Sequence, residues 1–331
     1  MSLAGTVVAA VLCVPVWGQQ KPENGGWIDT ATLRHEHPVN IVACNSDWIA
    51  TGDEGGNLFV GDAKTGKDLE LRAKGGQQEG FNRSVDHLRF APDGKKLYAV
   101  LHHGRSMSQF HLPRNPKGPY DGGVSGEDPL YLGYSPDVLT WLERHVGNAV
   151  LALRPSPWMP RAPGSKVYES IEYEAEVSHA VISADNQWVA VVTADAKLHI
   201  HDRASLREIH TIALTRQAAR DIQFSLDGKR IAVCGEQSFA RVYDTESGKE
   251  FAALQGHRGI VFSVAFSPDG MTIATGGDDS TARIWEAATG KPLAVLEGHN
   301  DSVKSIAFAP SGDMLVTGSA DKTAKVWRTK P

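Results

Sequence analysis

The sequence predicts an all-β chain made of seven repeated units of four antiparallel strands. Three observations carry this expectation: a block of about forty residues recurs at regular spacing, each copy holds two hairpin turns, and the apolar runs between turns are too short for helices.

The clearest pair of copies runs from Leu254-Gln255-Gly256-His257 to Ala282-Arg283-Ile284-Trp285 and from Leu296-Glu297-Gly298-His299 to Ala324-Lys325-Val326-Trp327, offset by 42 residues throughout. Inside them, Phe266-Ser267-Pro268-Asp269-Gly270 and Phe308-Ala309-Pro310-Ser311-Gly312 each end an apolar strand in a tight turn. The residue before that turn recurs at Cys44, Phe90, Tyr134, Ile182, Phe224, Phe266 and Phe308, with spacings of 46, 44, 48, 42, 42 and 42. The turns at the intervening marks agree: Ala91-Pro92-Asp93-Gly94, Ser135-Pro136-Asp137, Ser183-Ala184-Asp185-Asn186 and Ser225-Leu226-Asp227-Gly228. A second hairpin follows in Asp62–Lys67, Asp244–Lys249 and Glu286–Lys291, where Gly66, Gly248 and Gly290 supply a positive φ. Each unit therefore reads strand, turn, strand, loop, strand, hairpin, strand, which is the signature of a propeller blade.

Length and composition agree with a repeat. A chain of 331 residues is long for one compact core, and 41% hydrophobic with 22% charged residues suits a folded chain rather than a disordered one. A net charge of −5 provides no basic field, so neither nucleic acid nor an anionic membrane surface is expected as a partner. Cys13, Cys44 and Cys234 lack metal-type spacing and read as small buried residues.

The apolar run Leu3–Trp17, followed by Gly18, reads as an export signal that is too short to span a membrane. Residues 1–18 are thus expected to be removed, leaving residues 19–331 as one domain without a membrane span, exported to the periplasm or the medium. No Lys or Arg precedes the run, which leaves open an uncleaved anchor or a different start, and with the latter a cytoplasmic protein.

The succession Gly-His, Ser-Pro-Asp-Gly, Asp-x-Thr, Trp resembles the WD40 repeat family, most closely in units six and seven. The resemblance implies a seven-bladed WD40-type β-propeller. It also implies one buried polar relay per complete unit: His257, Thr275, Asp279 and Trp285 in unit six, and His299, Thr317, Asp321 and Trp327 in unit seven. A buried indole N–H needs an acceptor, a Thr hydroxyl accepts it and donates onward, and a carboxylate fixes the His tautomer. A set that repeats in two units reads as structural and not as a catalytic triad. Unit five has Thr215, Val233, Gln237 and Tyr243 at these places, unit four keeps Asp195 but has His201 for Trp, and unit one offers His35 with Gly55 and Gly61.

The fourth strand of unit six starts near Pro292, seven residues after Trp285, but the same place after Trp327 lies beyond the last residue, Pro331. Residues Gly26–Leu33, rich in strand formers, are expected to supply the missing strand of unit seven and so close the ring.

Other motifs point to no chemistry. Gly61–Lys67 lacks the Ser or Thr of a phosphate-binding loop, with Asp68 in its place, and no helix follows. His35/His37 and His199/His201 each point to one side of a strand, but without an identifiable third ligand no metal site is expected, nor any cofactor or catalytic residue. The Pro-rich stretch Arg154–Pro163, with Trp158, falls between the third and fourth strands of unit three.

The expected function is a non-enzymatic protein–protein interaction scaffold. By the resemblance, the partner-facing places are Ile260, Phe262 and Asp278 in unit six, Ser302, Lys304 and Ala320 in unit seven, and Ala218, Arg220 and Glu236 in unit five. Phe262 between Arg220 and Lys304 suits a protein or peptide partner of acidic character. The competing classes, a lactonase-like propeller hydrolase and an extracytoplasmic small-ligand or glycan sensor, need a converging polar constellation that the sequence does not display.

Overall fold

A computed structural model describes residues 25–65, 68–69, 84–91, 93–101, 106–112, 121–125, 130–134, 140–144, 150–155, 169–214, 219–235 and 238–330. Residues 1–18, expected as an export signal, the Pro-rich stretch beyond Pro155 with Trp158, the turn Ser135-Pro136-Asp137, and Thr215, Ala218, Glu236 and Gln237 lie outside the described residues.

The described residues form 28 strands and no helix, arranged as seven four-stranded antiparallel sheets. Unit four comprises Val177–Ile182, Trp188–Thr193, Lys197–Asp202 and Glu208–Ala213. Unit five comprises Ala219–Phe224, Arg230–Gly235, Phe239–Asp244 and Glu250–Gln255. Unit six comprises Val261–Phe266, Thr272–Gly277, Ala282–Glu286 and Pro292–Leu296. Unit seven joins Val303–Phe308, Met314–Ser319 and Thr323–Thr329 to Trp27–Arg34 from the other end of the chain. The mark residue before each tight turn is the last of its first strand: Cys44, Phe90, Tyr134, Ile182, Phe224, Phe266 and Phe308.

Burial follows position within the sheet. In units six and seven the second strands are covered on both faces, as in Met314–Ser319, where every residue is buried, whereas the fourth strand Pro292–Leu296 keeps exposed residues. The apolar clusters lie between neighbouring units. Ala232, Cys234 and Leu254 of unit five pack with Val261, Phe266 and Trp285 of unit six, while Ala274 and Ile284 of unit six pack with Val303, Leu315 and Trp327 of unit seven. A further cluster joins Met314, Val316 and Val326 of unit seven to Val39, Val42 and Ile49 of unit one. Each unit is thus stabilised mainly by its neighbours, as in other repeat folds, with each fully buried large side chain contributing about 1.5–3 kcal/mol.

One device recurs at these seams. The Gly after the relay Thr leaves room for the valine that opens the next unit's first strand: a Cβ on Gly276 would lie 2.7 Å from Val303, one on Gly318 would lie 2.7 Å from Val39, and one on Gly52 would lie 2.4 Å from Val85. In unit five the corresponding residue is Cys234, small and buried against Val261, consistent with its reading as a space-filling thiol. Polar side chains of the first strands add a second link. Asp221 accepts from the Ser263 hydroxyl at 2.9 Å, Ser263 accepts from the Ile306 N–H at 3.3 Å, and Ser305 accepts from the Val42 N–H at 3.1 Å.

The N-terminal strand Trp27–Arg34 pairs antiparallel with Thr323–Thr329 from Trp27↔Thr329 to Arg34↔Thr323, with a bulge between Asp29 and Ala31. Trp27 packs edge-on to Phe308 with ring centroids 6.2 Å apart, and Leu33 is buried beside Val326. Lys325 adds an ion pair to Asp29.

Candidate partner-binding face and buried relays

Units six and seven assemble their four relay residues in the same way. In unit six the Trp285 indole N–H donates to Thr275 Oγ1 at 2.8 Å, Thr275 Oγ1 lies 2.8 Å from His257 Nε2, and His257 Nδ1 lies 2.9 Å from Asp279 Oδ1. In unit seven the corresponding distances are 2.9 Å from Trp327 to Thr317, 2.7 Å from Thr317 to His299, and 3.0 Å from His299 to Asp321. The partners assign the protons: the Thr hydroxyl, already accepting the indole N–H, donates to Nε2, and Nδ1–H donates to the carboxylate.

Each carboxylate is further saturated by its own turn. Asp279 accepts from the Arg258 N–H and the Thr281 hydroxyl, and Asp321 accepts from the Asn300 N–H and the Thr323 hydroxyl. Burial alone would raise these carboxyls, yet the bonds to His257 and Thr281 in one case, and to Thr323, Asn300 and His299 in the other, hold both below the usual carboxylate range. His299 is lowered by its own burial, with Asp321 partly restoring it. In unit seven the two shifts favour a neutral imidazole on an ionised carboxylate inside the blade. Thr275 and Thr317 have no exposed surface at all, so no substrate can reach the hydroxyls.

Unit one holds more of a relay than its sequence suggests. His35 Nε2 lies 2.9 Å from Thr51 Oγ1, and Nδ1 lies 3.3 Å from Asp53 Oδ2, with the Phe59 ring edge-on at 4.4 Å. Unit one thus keeps the His–Thr pair and a carboxylate although Gly55 and Gly61 stand at two of the relay places. The turn after Cys44 is shorter, so Cys44 pairs with Ile49 whereas Phe266 pairs with Ile273. The carboxylate comes from Asp53 at the end of the second strand, with Gly55 at the usual place. Gly61 stands opposite Ile49, where Trp285 stands opposite Ile273, so the indole donor is missing.

Of the expected partner-facing residues, Ile260, Phe262, Asp278, Ser302, Lys304, Ala320 and Arg220 are described, and they come together where units five to seven meet. Lys304 places its ammonium 3.4 Å from the centre of the Phe262 ring, and both residues are half-buried. Ile260 is half-buried and its carbonyl accepts from the Asp278 N–H at 2.8 Å, while Asp278 and Arg220 are exposed. Ser302 departs from expectation. It is buried, because its hydroxyl is drawn inward to Asp278 Oδ1 at 2.7 Å while its carbonyl accepts from the Ala320 N–H at 2.9 Å. Ser302 therefore braces the loops of two units and is not itself a contact. Burial lowers Lys304, against which the charges of Asp278 and Asp301 act to raise it. The cationic character expected here is thus shared with carboxylates on the same face.

The sequence reading missed Asp53, because it stands at the place of Gly277, opposite the first residue of the first strand, and not at the usual carboxylate position. It also missed Tyr173 and Glu208, which join His199 and His201 in unit four. Tyr173 precedes Val177 by four residues, as His257 precedes Val261, and that spacing was the available signal.

Residues 248–286 and 290–328 match the family model described as WD domain, G-beta repeat. Each segment takes the last strand of one unit and three strands of the next: Glu250–Gln255 with the first three strands of unit six, then Pro292–Leu296 with Val303–Phe308, Met314–Ser319 and most of Thr323–Thr329. No curated protein matches the chain.

Proposed function

We propose that this chain, a WD40-repeat protein, is a non-enzymatic interaction scaffold whose seven units form a ring closed by the N-terminal strand. WD40 repeats generally mediate protein–protein interaction. The ring is supported by the packing of unit seven on unit one through Gly318 and Val39 and by the pairing of Trp27–Arg34 with the C-terminal strand. No helix among the described residues is long and apolar enough to cross a membrane.

The observation that carries the binding reading is the Phe262–Lys304 stack beside exposed Arg220 and half-buried Ile260. An aromatic ring under a cation, rimmed by loops pinned by Ser302 and Asp278, has the make-up of an interface centre: a rigid apolar anchor surrounded by polar groups. The partner is a protein or peptide that offers an apolar side chain to Phe262 and a carboxylate to Arg220. Asp278 and Asp301 favour a partner of mixed charge over one that is acidic throughout. A photo-crosslinking residue at Ile260, against a control at exposed Met271 in a tight turn, tests this in the native source. A stoichiometric adduct from position 260 alone is expected, and equal adducts from both positions would remove this face as the site.

We also propose that residues 1–18 are a cleaved export signal, on the apolar run Leu3–Trp17 followed by Gly18. N-terminal sequencing of the secreted chain is expected to begin near Gln19, and recovery of the protein only from the cytoplasm with Met1 retained would overturn it.

A further inference from the structure

Unit four replaces the usual relay with a different cluster. His199 and His201 lie two residues apart on Lys197–Asp202, which turns both rings to one side of the strand, and Glu208 stands across the ladder opposite His201, next to a register shift between Ile200 and His201. His199 Nδ1 lies 2.7 Å from Glu208 Oε2, His201 Nε2 lies 4.0 Å from the same oxygen, and one ligand-type atom from each of the three residues falls within 4.8 Å of the others. Tyr173, at the place that His257 and His299 fill elsewhere, puts Oη 3.0 Å from His201 Nε2. We propose that His199, His201 and Glu208, with Tyr173 or a water completing the shell, bind a divalent transition-metal ion of the zinc type.

Comparison with the other units shows what is particular to this one. Unit five has Arg241 and Glu250 at the places of His199 and Glu208, paired at 2.9 Å, and unit seven has Lys325 paired with Asp29. A base facing a carboxylate across this ladder is therefore a recurring brace. Units five and seven, however, have Tyr243 and Trp327 where unit four has His201. Only in unit four, among these, does a second nitrogen ligand meet the pair.

The hydrogen bonds fix the tautomer in the required sense. His201 Nδ1–H donates to the Leu206 carbonyl at 3.1 Å, which leaves the Nε2 lone pair directed at Tyr173 and Glu208. An outer N–H held by a carbonyl is the usual support of a metal-bound imidazole. His199 has a matching outlet, because its Nε2 lies 3.2 Å from Thr193 Oγ1, whose hydroxyl is bonded in turn to Asp195 at 2.5 Å. On metal binding the His199 proton moves from Nδ1, where Glu208 holds it, to Nε2, where Thr193 accepts it.

The dimensions suit the ion. Bonds of about 2.0–2.2 Å in a tetrahedral shell place ligand atoms about 3.3–3.6 Å apart, within the range these residues already span. Two imidazoles with one carboxylate favour zinc and its neighbours over calcium or magnesium, which prefer oxygen. His201 is buried, His199 nearly so, and half-exposed Glu208 leaves an entrance for the ion. Bound metal would tie Tyr173, in the segment leading out of unit three, to the outer strands of unit four, independently of the Phe262 face.

Zinc titration of the chelator-treated full chain at neutral pH tests this by calorimetry, with Co²⁺ absorption reporting the geometry. One equivalent of zinc is expected, with a tetrahedral Co²⁺ spectrum. Glu208→Gln and His199→Ala should each weaken binding at least about tenfold and abolish the zinc-induced rise in Tm. Glu208 is the most exposed of the three ligands, so Glu208→Gln remains informative if His199→Ala does not fold. Absence of stoichiometric zinc binding, or unchanged affinity in Glu208→Gln, would reduce the cluster to the brace seen in unit five.

Discussion

Gly318 and Val39 stand so close that a Cβ on the glycine would lie 2.7 Å from Val39 Cγ1 and 2.9 Å from Val42 Cγ1. The two residues are far apart in sequence and belong to the last and first units, so their contact reports directly on whether those units pack. Gly318→Ala is expected to cost about 1–3 kcal/mol, the usual penalty for overfilling a tight core. Combined with Val39→Ala, which vacates the space, it should be less destabilising than the sum of the single changes by at least about 0.5 kcal/mol in urea unfolding. Strict additivity would separate unit seven from unit one.

The N-terminal strand leads to a truncation experiment. Removal of residues 1–18 should leave a folded chain, whereas removal of residues 19–34 strips Trp27 and Leu33 from their cores and bares the edge of Thr323–Thr329, so aggregation is expected in light scattering. A monomeric, folded product from the longer truncation would mean that this strand does not protect the edge.

The relays differ in their partners, and their variants should differ in cost. His299→Ala leaves the buried Asp321 carboxylate and Thr317 hydroxyl short of a partner and is expected to cost about 2–3 kcal/mol. His35→Ala should cost less, because Asn57 still donates to Asp53 and no indole depends on Thr51. Equal or reversed thermal shifts would contradict this ranking.

Asp221 makes one seam sensitive to pH. Burial pushes its carboxyl up to about 6, against the Val264 N–H and Ser263 hydroxyl that bond to it. The folded chain therefore holds this proton more tightly than the unfolded chain. Its contribution is fully present below the ordinary carboxylate pKa and is lost as pH rises through about 6, an effect of no more than about 3 kcal/mol. Asp221→Asn should remove that decline from the stability profile between pH 4 and about 7. The same slope in variant and parent would assign the effect elsewhere.

The repeat spacing was readable because turns and strand ends recur at fixed intervals, and the strand-forming residues Gly26–Leu33 overlap the strand Trp27–Arg34 that pairs with Thr323–Thr329. The unit-one carboxylate was hidden because Asp53 stands opposite Val39, at the place Gly277 holds opposite Val261 in unit six, two residues before the position at which the repeat carries its carboxylate. Glu208 was hidden for another reason: it meets His201 across a ladder with a register shift, which no linear spacing displays. The burial of Ser302 depends on a bond to Asp278 in the neighbouring unit, and contacts between units leave no periodic trace in the sequence.

The central claim is that units five to seven present a partner-binding face centred on Phe262. It is tested most directly by quantitative recovery of partners from the native source with the parent chain and with a Phe262→Ala, Arg220→Glu double variant of matched Tm. Neither residue belongs to a relay, so the variant should fold normally, lose the aromatic anchor under Lys304, and recover its main partner at least about tenfold less well. Undiminished recovery by a folded double variant would contradict the account.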